Sequence, residues 1–281
     1  VTMNRYAAAL AAISVCVSLG ASSALAQDEE NVILRDAMAF AMHDAAFTIY
    51  HEVGHMLVGE LGLPVLGKEE DAVDTLATIW LLNDEDQDYA FNALIDASDG
   101  WYYNAVNSTG SGVDEFSYYS EHSLDIQRAY AMVCLMVGAD PDNFGETADI
   151  YELDPDQQEN CAYTYEQAQA SWGSLLSAHE LNGNESAPIE VVYDDAGEYE
   201  AFAGALKEQG ILERAANEIT SSYALPQPVT FRAAQCGEAN AYYDPSASEV
   251  TYCYELAAEM FNLYVYDIVG WGDTGEDTGQ E

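Results

Sequence analysis

His51-Glu52-Val53-Gly54-His55 is the stretch whose residue types and spacing could do chemistry. On an α-helix, positions four apart share a face, so both imidazoles can turn toward one metal ion. Glu52 lies at the edge of that face, where it could take the proton of a zinc-bound water. Two histidines hydrogen-bonded on a helix beside an ordinary helix-forming Glu would read the same way, so a third ligand is needed. A hydrolytic zinc site takes three protein ligands and leaves a fourth position for water. Glu69-Glu70-Asp71-Ala72-Val73-Asp74 supplies the acids. Glu70 and Asp74 are four apart and share a face. Glu70 is the expected third ligand, ahead of Glu69 and Asp71. Asp74 is the expected outer carboxylate, receiving the free ring N–H of a ligating histidine. Helix-dipole stabilisation explains Glu69, Glu70 and Asp71 equally well. It does not explain Asp74, a full turn inside a helix with apolar neighbours.

Attack of such a water on a carbonyl also needs a donor for the oxyanion. His122, at a helix start after Tyr118 and Tyr119, is the candidate, and either tyrosine could share the task. The alternative is an exposed His122 beside a capping Ser120 or Ser123. His43, two turns before the motif, reads as an outer or surface residue rather than a ligand. Asn240, Tyr242 and Tyr243 could line a substrate groove or simply belong to a disulfide-pinned hairpin. Asp84-x-Asp86-x-Asp88 lacks the Gly and Glu of a calcium loop and reads as an acidic surface segment.

These residues must be positioned mainly by helices. Apolar spacing predicts helices over about 36–61, 68–82, 89–106, 123–137 and 155–178, with a Gly/Ser loop at 108–120. The turn at 62–67 folds the second helix back on the first. A composition change at 182–188 marks a boundary. Beyond it come a strand at 189–193, a helix at 198–223, strands at 229–233 and 250–252, and a last helix at 254–269. The expected fold is mainly α with a small β-hairpin or sheet element. Its helical part covers about 28–181 and its α+β part about 188–270, and the acidic tail 273–281 is expected to be disordered.

Residues 1–26 have the layout of a signal peptide: Arg5, an apolar run at 7–20, and Ala24-Leu25-Ala26 before a cleavage point. The expected location is therefore secreted or periplasmic. Five cysteines become four once Cys16 is removed, which suits disulfides in an oxidising compartment. Sequence order pairs Cys134 with Cys161 and Cys236 with Cys253, one of the three connectivities that four cysteines permit. Fifty acidic residues against seven Lys and Arg give a net charge of −43. Such a surface repels nucleic acid and anionic membranes. It is either a strongly solvated surface or a field that favours cationic substrates.

The pattern HExxH followed by Glu70-x-x-x-Asp74 resembles the gluzincin class of metallopeptidases. Three stretches resemble more closely a bacterial family, domain of unknown function 4344, classed with the metallopeptidases. They are HEVGHMLVGELGLPVLGKEEDAVDTLATIWLL (51–82), EHSLDIQRAYAMVCLMVG (121–138), and CGEANAYYDP with VTYCYEL (236–256). The resemblance implies a zincin-like domain, zinc and hydrolysis, and supplies no substrate. The expectation is a secreted zinc-dependent hydrolase acting on peptide or protein. His51, His55 and Glu70 would hold the metal, Glu52 and His122 would act catalytically, and Asp74 would stand behind a ligand. The alternatives are a zinc amidase on a non-peptide or cell-wall substrate, and a secreted binding protein with a vestigial zinc site.

Overall fold

The computed structural model describes residues 6–108 and 120–270, with side chains from Glu30 to Asn107 and from Ser120 to Gly270. The expected leader (1–26) precedes the described side chains, and residues 6–29 are described as helix backbone only. Most of the expected 108–120 loop, with Tyr118 and Tyr119, and the 273–281 tail lie outside the described residues.

Nine α-helices are described: α1 (Tyr6–Leu61), α2 (Glu69–Leu82), α3 (Gln87–Ser108), α4 (Asp125–Ala139), α5 (Pro141–Ile150), α6 (Pro155–Leu176), α7 (Glu200–Gln209), α8 (Ile211–Ser222) and α9 (Tyr254–Asn262). A sheet is formed by β1 (Ile189–Tyr193), β2 (Val229–Ala234), β3 (Ala241–Asp244) and β4 (Glu249–Cys253), in the order β1-β2-β4-β3. The expected mainly α fold with a small β element is what is found.

The core is organised around α1. Phe40, Ala41, Met42, Ala45, Ala46, Phe47, Ile49, Tyr50, Val53, Met56 and Leu57 are all buried. A helix apolar on every side must be enclosed by other elements rather than lie on the surface. Here α2, α3, α9 and β3 pack around it. It stops at Gly62, whose φ of +63° only glycine adopts freely, and the amide of Leu63 closes back on the carbonyl of Val58 at 3.0 Å. The chain then reverses and α2 returns along α1. Closeness at this crossing depends on Gly54, the fourth residue of the motif: a Cβ there would lie 2.8 Å from the Cβ of Val73.

Several elements differ from expectation. The helix expected over 198–223 is two helices, because Gly210 takes φ +60° between them. Helix α5 was not expected; Asp140 caps it and Pro141 opens it. The strands expected at 229–233 and 250–252 are neighbours, but parallel. What makes that connection is β3, which forms a hairpin with β4 and occupies the edge of the sheet. The last helix passes into a π-helical turn at Leu263–Ile268. Disulfides join Cys134 to Cys161 and Cys236 to Cys253. Among the described residues, no helix is long and apolar enough to cross a membrane.

The contact of Gly54 with Val73 makes Gly54→Ala a sensitive substitution. It is expected to lower stability by about 1–3 kcal/mol through overpacking, read as a lower urea midpoint at unchanged slope. A Gly54→Ala protein as stable as the parent would show that the crossing is loose.

Candidate metal centre

Helix periodicity places His51 and His55 one turn apart on α1, with ring centroids 4.9 Å apart. Glu70, in the first turn of α2, faces both. Its Oε2 lies 3.2 Å from His51 Nε2 and 3.3 Å from His55 Nε2. One donor atom from each of these three residues lies within 4.8 Å of the other two. In a tetrahedral zinc site with bonds of about 2.0–2.2 Å, neighbouring ligand atoms stand roughly 3.4 Å apart. The observed separations fit that set.

The outer nitrogens are also committed. His51 Nδ1 is 2.7 Å from Asp74 Oδ1, and His55 Nδ1 is 2.8 Å from Glu69 Oε1. An imidazole whose Nδ1–H is given to a carboxylate directs the lone pair of Nε2 inward. Two inward nitrogen lone pairs and a carboxylate oxygen repel each other unless shared protons or a metal ion stand among them. The donor set therefore fits a metal ion. A second group, Cys236, Cys253 and Glu255, has similar closeness. Its two sulfurs form a disulfide, so they offer no thiolate.

The three acids opening α2 divide the work. Glu69 orients His55 and Glu70 faces both imidazoles, while Asp71 accepts a hydrogen bond from Ser123 Oγ at 2.9 Å. Lys68 Nζ donates to the carbonyl of His122 at 3.1 Å. Together Asp71 and Lys68 anchor the segment that carries His122. Its Nε2 reaches Glu70 Oε2 at 3.0 Å, with about half the side chain exposed. It stands at the rim of the centre, outside the close-packed set of three.

Asp74 is buried, and Arg128 on α4 grips both its oxygens, Nε to Oδ2 at 2.6 Å and Nη2 to Oδ1 at 2.7 Å. The guanidinium lies over the ring of Trp101, 3.5 Å from its centroid. Neither residue was picked out from the sequence. The available signal was a lone arginine among apolar residues in a chain with seven cations. Glu69 was considered only as a rival ligand.

Glu52 is 7% exposed, with Oε1 4.0 Å from His51 Nε2. Burial pushes its pKa up; the nearby imidazoles and the backbone amide of Tyr243 oppose this. Strand β3 brings that amide there. The Tyr243 hydroxyl donates to Glu60 Oε1 at 2.8 Å, and its ring packs where a Cβ on Gly59 would come within 3.0 Å. For His51, burial disfavours the charged form, but Asp74 and Glu70 outweigh it and push the pKa up to about 9. Burial would raise Glu70, yet the three imidazoles hold it far below the carboxylate range. Asp74 is likewise raised by burial but held low by His51 and Arg128.

Of the other candidates, His43 bonds to Asp96 at 2.5 Å and packs on Tyr89, away from the centre. Asn240 lines the cavity beside Glu52, whereas Tyr242 is 41% exposed and does not. Asp84 and Asp86 accept backbone hydrogen bonds at the start of α3.

A family model described as "Putative metallopeptidase" (domain of unknown function 4344) matches residues 4–176 and 193–268. No curated protein and no solved structure matches the chain.

The grip of Arg128 on Asp74 predicts an asymmetric cost. Arg128→Met should destabilise by about 3–5 kcal/mol, because it leaves a buried carboxylate without its cation. Adding Asp74→Asn should recover part of that loss. Both are read by urea unfolding, and strictly additive losses would show that the pair is uncoupled.

Proposed function

The chain belongs to the metallopeptidase family of domain of unknown function 4344, and from that premise we propose that it is a secreted zinc-dependent peptidase. The observation that carries the reading is the convergence of His51 Nε2, His55 Nε2 and Glu70 Oε2, with each imidazole's Nδ1 held by a carboxylate. Two imidazoles with one carboxylate suit zinc better than calcium or magnesium, which favour all-oxygen shells. When bound, the ion would polarise the scissile carbonyl and make a water acidic.

The chain's own residues supply the rest. Glu52 takes a proton from the attacking water and passes it to the leaving nitrogen. Burial pushes its pKa up, the direction that favours a carboxylate which must both accept and release a proton. Asp74 and Glu69 keep the imidazoles turned inward. His122, half exposed at the rim, would donate toward the carbonyl oxygen as it gains charge.

A peptide is favoured over a small amide because β3 is the edge strand of the sheet and runs beside the base. Asn240 and Ala241 line the same cavity as Glu52. An extended peptide can add to such an edge through main-chain hydrogen bonds, which presents one of its carbonyls to Glu52. Secretion is supported by the leader-like pattern of residues 1–26 and by the two disulfides.

Three proteins test the reading: the parent, Glu52→Gln and Glu70→Ala, each assayed for zinc by atomic emission and for cleavage of a mixed peptide pool. The parent should hold stoichiometric zinc and cut peptides. Glu52→Gln should keep the zinc and lose about 10²- to 10⁴-fold in turnover. Glu70→Ala should lose the zinc. Undiminished turnover in Glu52→Gln, or full zinc retention in Glu70→Ala, would overturn the assignment.

A further inference from the structure

The buried face of α1 carries a second polar position that the proposed chemistry does not use. Asp44, Thr48, His51, Glu52 and His55 fall at spacings 0, 4, 7, 8 and 11, which is one stripe of a helix with 3.6 residues per turn. Asp44 lies about 10 Å along the axis from His51 at 1.5 Å per residue. It is 6% exposed. Among the described residues it forms no ion pair.

A cavity of about 250 Å³ runs along the stripe from Asp44 to Glu52. It begins at His51, Glu52 and Asn240 and is walled by Phe47, Trp101, Leu256 and Met260, with Asp44 among its lining residues and Glu259 also on the wall. Glu259 is solvent-exposed. Gly100 faces Asp44 without a side chain; a Cβ there would stand 3.6 Å from Asp44 Oδ1. Arg128 also borders the cavity, but its charge is taken up by both oxygens of Asp74. Walls that are apolar at Phe47, Trp101, Leu256 and Met260, with a buried acid among the lining residues, match a long aliphatic stem that ends in a cation.

Resting on the peptidase reading above, we propose that this cavity is a specificity pocket for a lysine or arginine side chain next to the scissile bond, with Asp44 as the residue that selects it. The state of Asp44 is consistent with this role. Burial, reinforced by Asp96 and Glu259 against Thr48 and Arg128, pushes its pKa up to about 7. A cation entering the pocket would favour its ionised form.

The net charge of −43 would by itself attract any basic peptide, so the test must separate a pocket from a field. The probes are peptides of one sequence carrying lysine, arginine or norleucine at one position at a time around the cleaved bond, in 0.5 M salt. There the Debye length is about 4 Å and surface steering is screened. The expected result is a preference in kcat/KM of about tenfold or more for the basic residues over norleucine, at one adjacent position only. In Asp44→Asn the ratio should fall toward unity. Equal cleavage of lysine and norleucine peptides by the parent would overturn the pocket. So would a basic preference spread over all positions, or an unchanged ratio in Asp44→Asn. Cleavage of none of the peptides by zinc-loaded parent would overturn the peptidase reading instead. The pocket is then judged by calorimetric binding of the lysine and norleucine peptides to Glu52→Gln protein. Tighter lysine binding supports it, and equal affinity refutes it.

Discussion

Asp74 is where three helices are joined through buried charge. It sits on α2, receives the ring N–H of His51 from α1, and is held on both oxygens by Arg128 from α4. A buried carboxylate is costly to keep ionised, and only a close cation with good hydrogen-bond geometry offsets that cost. Here the geometry is bidentate, and the guanidinium is backed by Trp101. The triad therefore does two things with one set of bonds. It fixes the spacing of α1, α2 and α4, and it sets the ring orientation of His51. A shift of α4 would be felt at His51 Nε2 without any contact between α4 and that atom.

The character of α1 explains why His51 and Glu52 are so deeply buried. Surface helices alternate apolar and polar faces, but from Ala37 to Leu57 this one is enclosed on nearly all sides. The polar residues buried there are Asp44, His51 and Glu52, and they share one stripe. Enclosure by α2, α3, α9 and β3 strengthens each electrostatic contact along that stripe, because little water remains to screen it. It also raises the pKa of Glu52 and Asp44 alike, mainly by burial. The same packing that stabilises the core thus tunes the carboxylates.

The parts of the site legible in the sequence were those set by local periodicity. His51, His55, Glu70 and Asp74 lie on two consecutive helices joined by a short Gly-containing turn, so spacing alone brings them to one place. Arg128 follows Asp74 by 54 residues, and no local pattern indicates that α4 packs against α2. The sheet was misread for a related reason. β3 is four residues long and adjoins a turn, so its alternation is too short to register. Without it β2 and β4 look like a hairpin, although they are parallel neighbours. An isolated glycine inside a helical stretch does not by itself mark a break; the positive φ of Gly210 is what ends α7 and starts α8.

The placement of the few cations bears on the site as well. With seven Lys and Arg against fifty acids, most carboxylates have no basic partner, so the exceptions carry information. Arg5 lies outside the described residues. Arg35 pairs with Asp36 on the surface, and Arg232 bridges Asp194 and Glu249 at the sheet. Lys207 and Arg214 lie against Tyr193 and Tyr89. The remaining two serve the centre, Arg128 from within and Lys68 at the segment bearing His122. Neither reaches Glu70 or Glu52. A cation in that inner position would have competed with a metal ion for the same carboxylate, and the imidazoles stand there instead. The arrangement keeps lysine and arginine charge away from Glu70 and Glu52 and leaves Glu70 to the imidazoles.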